Sequence, residues 1–303
     1  MKKFNLKNIS VFNVVICIVL LAYVASWVFM LGWGIVFSCK ADLDYKLNGM
    51  AGLPSAEFGG WKFENYVTAF TKNYVPLYTT EGTFYVFMDE MFINSCLYTL
   101  GGAFCATMVP CIVAYIVERY DFKFLEWIHG IVIVTMLLPI VGSLPAEMEM
   151  MRTLGFLGGG ETMEFLGVMF MKCNFLGLYF LIFYGVFKGL SRGYEEAAYI
   201  DGASQMQVLL RINLPLIKTS IASVFLLLFI GLWNDYQTPM IYWSSRPVLA
   251  YGMYMFKFST ENALSSIPVR IAGGFIMAIP IIIIFLLFQK RLLGNITAGG
   301  LKG

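Results

Sequence analysis

Charge is scarce along this chain. Asp, Glu, Lys and Arg make up 13% of the 303 residues, about half the share found in soluble globular domains. Hydrophobic residues make up 59%, and the mean hydropathy is +0.73. This excludes an ordinary soluble domain and points to an integral membrane protein. The net charge of +2 is too small for a nucleic-acid-binding surface. Histidine occurs once, at His129, and neither HExxH nor GxSxG is present, so zinc-protease and serine-hydrolase chemistry find no support. No Gly-Lys-Ser or Gly-Lys-Thr occurs either, so the glycine-rich run at Gly155 and Gly158–Gly160 is a flexible loop within Met150–Glu164, not a phosphate cradle. The six cysteines (Cys17, Cys39, Cys96, Cys105, Cys111, Cys173) form no CxxC pair and lie mostly in apolar runs. There they act as small hydrophobes, with neither a disulfide framework nor a metal site.

What the chain has instead is long apolar runs. A bilayer core takes about 20 apolar residues per helix. That rule predicts about six spans: Val11–Phe37, Met91–Val117, Trp127–Met148, Phe165–Gly189, Leu214–Trp243 and Ile267–Gln289. The first is too long for a signal-peptide core and reads as a retained helix behind Lys2, Lys3 and Lys7. Pro139 and Pro145 predict a kink in the third span. Lys172 interrupts the fourth and predicts an irregular end. Gly101, Gly102 and Ala103, and the pair Gly185 and Gly189, predict close helix packing. Between the spans, 38–90 and 243–266 are expected external loops, with Trp61–Tyr66 a candidate interfacial helix.

Basic residues set the orientation, because short cytoplasmic loops carry the Lys and Arg excess. With the N-terminus inside, the cytoplasmic set holds Lys2, Lys3, Lys7, Arg119, Lys123, Lys188, Arg192, Arg211, Lys218, Lys290, Arg291 and Lys302. Both termini, and the polar stretch 191–213, are then expected in the cytoplasm.

That stretch is the most distinctive part of the chain. Glu195–Ile200 reads as a short helix with two carboxylates in its first turn, where the helix dipole favours them. Gly202 permits a sharp turn, Gln205–Arg211 reads as a second short helix, and Pro215 can open the next long one. Glu196-Ala197-Ala198, then Gly202, Ile212 and Leu214-Pro215 at their spacings resemble the EAA loop of ABC importer permeases at every signature position. The tail Leu293–Gly303, with Thr297, Ala298, Gly299, Gly300 and Lys302, resembles the Gly-Leu-Thr-Ala-Gly-Ala-Val-Lys-Gly ending of one permease subunit of maltose-type sugar importers. Asn295-Ile296 here replace the usual Leu. Ala114–Phe122 and Trp233-Asn234-Asp235 also look like stretches of sugar-importer permeases.

The resemblance implies an all-α polytopic membrane protein of the type I ABC importer permease fold, in a bacterial cell membrane. It divides the chain into an N-terminal tail and first helix (1–37), an external loop (38–90), a five-helix transmembrane domain (91–290) and a cytoplasmic tail (291–303). The partners implied are a second homologous permease subunit, two ATP-binding subunits and an extracytoplasmic solute-binding protein. No cofactor is expected on this chain, and it is not expected to be an enzyme; ATP and Mg belong to the partner ATPases. The resemblance assigns Glu195, Glu196, Ala197, Ala198, Asp201, Gly202, Ile212, Leu214 and Pro215 to ATPase coupling, and the tail residues to the ATPase interface. The cargo it implies is a sugar, an oligosaccharide by preference. Another solute, or an ATP-independent transporter, are the alternatives.

Trp233-Asn234-Asp235 is the most polar cluster inside any expected span. A charge at membrane depth costs ~2.5–3.5 kcal/mol on insertion scales, so it faces a water-filled path or a partner. Two readings stay open: these residues line the translocation path, or Asp235 caps or pairs locally near the interface.

Overall fold

The computed structural model describes residues 11–49, 52–79, 82–138, 142–258 and 266–298. Among them, helices dominate. They are α1 (Val11–Ser38), α2 (Asp42–Asn48), α3 (Glu64–Lys72), α4 (Met88–Arg119), α5 (Lys123–Leu137), α6 (Leu144–Thr153), α7 (Glu161–Lys172), α8 (Leu178–Lys188), α9 (Gly193–Ile200), α10 (Gln205–Val208), α11 (Leu214–Leu216), α12 (Lys218–Trp233), α13 (Gln237–Tyr242), α14 (Leu249–Phe256) and α15 (Ile267–Ala298). Two strands, β1 (Tyr74–Thr79) and β2 (Gly82–Phe87), form an antiparallel hairpin. The chain divides into two compact units: Met1–Asn73 with Phe256–Ile276, and Tyr74–Met255 with Met277–Gly303.

Three of the described helices are long and apolar enough to cross a bilayer: α1, α4 and the Ile267–Gln289 part of α15. These are the first, second and sixth expected spans. The third, fourth and fifth are each broken, for local reasons. In the third, α5 stops at Leu137 and Pro145 sits in the first turn of α6, where its missing N–H costs nothing; Pro139 lies outside the described residues. The fourth breaks after Lys172 and restarts beyond Gly177, whose φ of 139° suits glycine. In the fifth, Pro215 does not open the long helix. It lies in the three-residue turn α11, and the chain bends by 72° before α12 begins at Lys218.

In the first unit, α1 buries only its last two residues, Phe37 and Ser38. Its end is pinned by α3. The Asn65 amide donates to the Ser38 carbonyl at 2.7 Å and the Lys40 carbonyl at 2.8 Å, while the Ser38 and Tyr66 hydroxyls meet at 2.7 Å. Beside this joint, Asp44 accepts from the Ser55 N–H (2.9 Å) and the Asn48 amide (2.7 Å), with Lys40 Nζ 3.9 Å away. The Ser55 hydrogen bond, then that of Asn48, hold the Asp44 carboxyl below the usual carboxylate range. The helix expected at Trp61–Tyr66 lies later, at Glu64–Lys72.

In the second unit α4 is the central post, packed by α12, α8, α7 and α5. Lipid tails are as apolar as leucine, so close fit rather than water exclusion holds such helices together. The fit is visible at the small residues. A Cβ at Gly101 would stand 2.9 Å from Met169 Sδ, and one at Gly102 would stand 3.1 Å from Leu232 Cδ1. On α8, Phe180, Phe183 and Phe187 make a fully buried stripe at helical spacing against Cys111, Ala114 and Tyr115 of α4. The expected packing at Gly185 is not found within this chain: that glycine is exposed, with nothing within 4 Å of a Cβ placed there.

The expected loop Met150–Glu164 is mostly helix ends. Met150–Thr153 closes α6, Glu161–Glu164 opens α7, and the connection turns on Gly155, Gly158 and Gly160 at φ 76°, 83° and 93°. Glu164 is buried and accepts from the Ser245 hydroxyl at 2.7 Å, and the Tyr242 hydroxyl donates to Glu147 at 3.3 Å. The β1–β2 hairpin falls inside the expected loop 38–90. Val75 and Val86 pair across the strands and are buried, and Tyr74 meets Tyr85 edge-on at 4.9 Å. The aromatic and β-branched runs on either side of positions 80 and 81 carried this signal, but Pro76 argued against a strand.

Candidate coupling loop and polar cluster

The polar loop between α8 and α12 is a built object rather than a connector. Helix α9 closes with a Schellman motif. The Ala203 N–H reaches the Ala198 carbonyl (2.9 Å), and the Gly202 N–H reaches the Tyr199 carbonyl (3.0 Å). Gly202 sits between them at φ 82°, the left-handed conformation that closure requires. Helix α10 then opens with a capping box: the Gln207 N–H donates to Ser204 Oγ at 3.3 Å, and the Ser204 N–H donates to Gln207 Oε1 at 2.8 Å. One π-helical turn, Leu209–Asn213, leads to α11. The expected second helix, Gln205–Arg211, is therefore α-helical only to Val208.

The candidate residues separate by direction. Glu196, Ala197, Asp201, Gly202 and Pro215 are exposed, while Ile212 and Leu214 are half-buried. Ile200, 85% exposed, makes an apolar tip beside them, with Tyr194 (58%) and Met206 (62%) also open. Glu195 and Ala198 face inward. Glu195 Oε1 lies 2.7 Å from Arg119 Nε at the end of α4, and Arg119 Nη1 lies 3.0 Å from Glu118. Ala198 packs α9 closely against its own chain. Tyr199 hydrogen-bonds Tyr115; partial burial, with the charges of Tyr120 and Glu195, pushes its phenol above the ordinary value. His129 packs its ring against Tyr184 at 4.6 Å, as an aromatic neighbour would.

The Trp233 cluster is largely occupied. Trp233 is 1% exposed and its indole N–H donates to the Met277 carbonyl of α15 at 3.0 Å. Asn234 turns back to its own helix, donating to the Ile230 carbonyl at 2.8 Å. Asp235 accepts the Thr238 N–H at 3.1 Å, which starts α13, and the Tyr98 hydroxyl at 2.6 Å. Lys172, from the break after α7, places Nζ 3.6 Å from Asp235 and 5.6 Å above the Tyr98 ring. Asp235 is thus both a cap, through Thr238, and a partner of Tyr98 and Lys172. Lys172 and Tyr98 complete a trio that spacing did not connect. A cavity of about 160 Å³, lined by Lys172, Asn174 and Tyr179 among others, opens at the same break.

Of the tail candidates, Thr297 and Ala298 end the backbone of α15, which runs past the expected limit at Gln289. Gly299, Gly300 and Lys302 lie outside the described residues. No group of three or more potential metal-binding side chains occurs among the described residues.

A mostly helical membrane bundle with a bent, capped polar loop between broken spans is the type I ABC importer permease fold. A solved chain in the crystal structure of a bacterial ABC transporter involved in the import of the acidic polysaccharide alginate matches it with a TM-score of 0.71. That match covers 95% of this chain and 98% of that one, at 21% identity. Residues 103–296 match the family described as binding-protein-dependent transport system inner membrane component, and the chain belongs to that family. Among curated relatives, the trehalose/maltose transport system permease protein MalG of Thermococcus litoralis is 27% identical, over 94% of each chain. The diacetylchitobiose uptake system permease protein NgcG of Streptomyces coelicolor is 22% identical, over 79% of this chain and 74% of that one.

Proposed function

We propose that this chain is one of two membrane subunits of an ATP-driven importer of a sugar, an oligosaccharide by preference, and that the α9 loop is where it receives work from a separate ATPase. One observation carries the reading. Helix α9 is closed by Gly202 and held from beneath through Glu195, while Glu196, Ala197 and the bare Ile200 side chain face outward. An exposed apolar tip rimmed by charge suits a protein contact. Glu196 then makes a charge-assisted contact to a basic residue of the ATPase, and α8 and α12 move with the loop because both join it through short connections. Alternating access follows as a rocking of packed helices.

In this reading the loop and both termini are cytoplasmic, as the basic residues favour. Two ATPase subunits bind ATP and Mg, the tail from Thr297 to Lys302 reaches toward them, and an external binding protein delivers the solute. The sugar assignment rests on what the relatives are named for and on the Trp233 and C-terminal resemblances. Trp233, Asn234 and Asp235 stand beside the translocation path as its anchor and latch rather than as its open lining.

The test is reconstitution of the permease pair with its ATPase and binding protein, comparing Glu196→Lys with the unaltered chain. Loss of ATPase co-purification and of uptake, at unchanged membrane levels, is expected. Full ATPase binding and uptake by the variant would remove the loop from this role. Uptake of labelled maltooligosaccharide, unaffected by excess peptide, is expected for the cargo; competition by peptide would overturn the sugar assignment.

A further inference from the structure

Arg119 and Glu195 tie the α9 loop to a helix that sequence spacing did not connect with it. Arg119 is the last residue of α4, and only 4% of its side chain is exposed. Its guanidinium faces three groups at once: Glu195 Oε1 at 2.7 Å, Glu118 Oε2 at 3.0 Å and, through an N–H bond, the Leu190 carbonyl at 3.3 Å. Leu190 follows α8 and Glu195 lies in the first turn of α9, so one side chain grips both ends of the short link between them. Arg192 closes the circle by donating to the Glu118 carbonyl at 3.3 Å.

The other end of α4 is fastened as firmly. The Asn94 amide donates to the Pro247 carbonyl at 3.0 Å, the Leu249 N–H donates to Ser95 Oγ at 2.7 Å, and Tyr98 holds Asp235. Asn94 and Arg119 are separated by about 38 Å along an ideal helix axis, more than the thickness of a bilayer core. Pro110 lies between the two fastened ends, yet α4 runs unbroken from Met88 to Arg119, so displacement at one end is passed to the other.

We propose that Arg119 is a positioning residue for transport. Through Glu195 it couples movement of the α9 loop to α4, so that α4 carries the stroke to the α13–α14 region at the opposite end of the bundle. This rests on the assignment of the α9 loop to ATPase contact. It adds a third route beside the covalent joints to α8 and α12. The two adjacent carboxylates then have different roles, since Glu196 meets the motor and Glu195 passes the motion inward.

The experiment uses the whole assembly, with both permeases, ATPase subunits and binding protein in proteoliposomes. Glu195→Gln, Arg119→Met, Arg119→Lys and Glu196→Lys are compared. Three quantities are read: ATPase retained on purification, ATP hydrolysis stimulated by loaded binding protein, and solute imported per ATP. For Glu195→Gln and Arg119→Met, ATPase retention is expected to be unchanged while solute per ATP falls about tenfold or more. Arg119→Lys, which keeps the charge but not the three-way grip, is expected to recover part of that ratio. Should Arg119→Met fail to reach the membrane, the near-isosteric Glu195→Gln decides alone. An unaltered ratio in Glu195→Gln overturns the proposal, as does a loss of uptake that merely tracks loss of bound ATPase. Glu196→Lys separates the two readings: if it keeps its ATPase, the loop assignment fails, whatever the Arg119 variants do.

Discussion

Replacing Gly202 with valine isolates the bend of the α9 loop. Nothing lies within 4 Å of a Cβ built at this position, so the cost is conformational rather than a clash. At φ 82° a side chain with a Cβ costs about 1–2 kcal/mol, and β-branching places valine at the upper end. If the chain escapes by opening the turn, it loses the two closing hydrogen bonds, worth about 0.5–1.5 kcal/mol each. Opening therefore costs about as much as it relieves, and the penalty on the bent form is the strain itself, about 1–2 kcal/mol. Each 1.4 kcal/mol is tenfold, so the docking-competent bend falls by roughly 5- to 30-fold against its alternatives. Gly202→Asn is the control, because asparagine tolerates the left-handed region far better. Membrane levels of both variants are expected to match the unaltered chain. Uptake in reconstituted vesicles is expected to collapse for valine and to persist for asparagine. Normal uptake by Gly202→Val, or equal failure of both, would refute the claim that the left-handed turn positions the loop.

Further outcomes follow from the packing. Gly101→Val forces atoms into Met169 and is expected to cost about 1–3 kcal/mol, read as a lowered unfolding temperature in detergent. Lys172→Met strips Asp235 of its cation and is expected to cost about 3 kcal/mol, whereas Lys172→Met with Asp235→Asn recovers most of it; a double-mutant cycle on unfolding checks this. In the first unit, the lowered Asp44 pKa means its contribution is full above the unfolded value near about 3.9 and is lost as pH falls through the lower folded value. Amide exchange at Ser55 is expected to accelerate across that window, and to be insensitive to it in Asp44→Asn.

Much of the fold was legible because its signals are local. Unbroken apolar runs mark α1, α4 and α15, since a bilayer rewards apolar length whatever else the chain does. Glu196-Ala197-Ala198 and Gly202 announce the loop because a short helix, a left-handed turn and a capped restart each need particular residue types at fixed offsets. The broken spans were less legible. An apolar run has the same composition whether it is one helix or two, and Lys172 and Asp235, which meet beside two of the breaks, lie 63 positions apart. The hairpin β1–β2 was hidden because its aromatic and β-branched runs carry no apolar–polar alternation and Pro76 stands inside the first. Of the Trp233 cluster, the sequence revealed its polarity but not its direction: Trp233 faces inward to Met277, and Asn234 outward.

From the sequence alone came the membrane setting, the long helices, the glycine that bends the loop and the lack of any P-loop motif, all consequences of composition or short-range spacing. Only the tertiary structure decided which of two neighbouring glutamates faces inward, and which cation answers Asp235. Those choices join residues as far apart as Tyr98 and Asp235, 137 positions in the chain. No spacing rule reaches that far, because such partners meet only after the helices between them have packed.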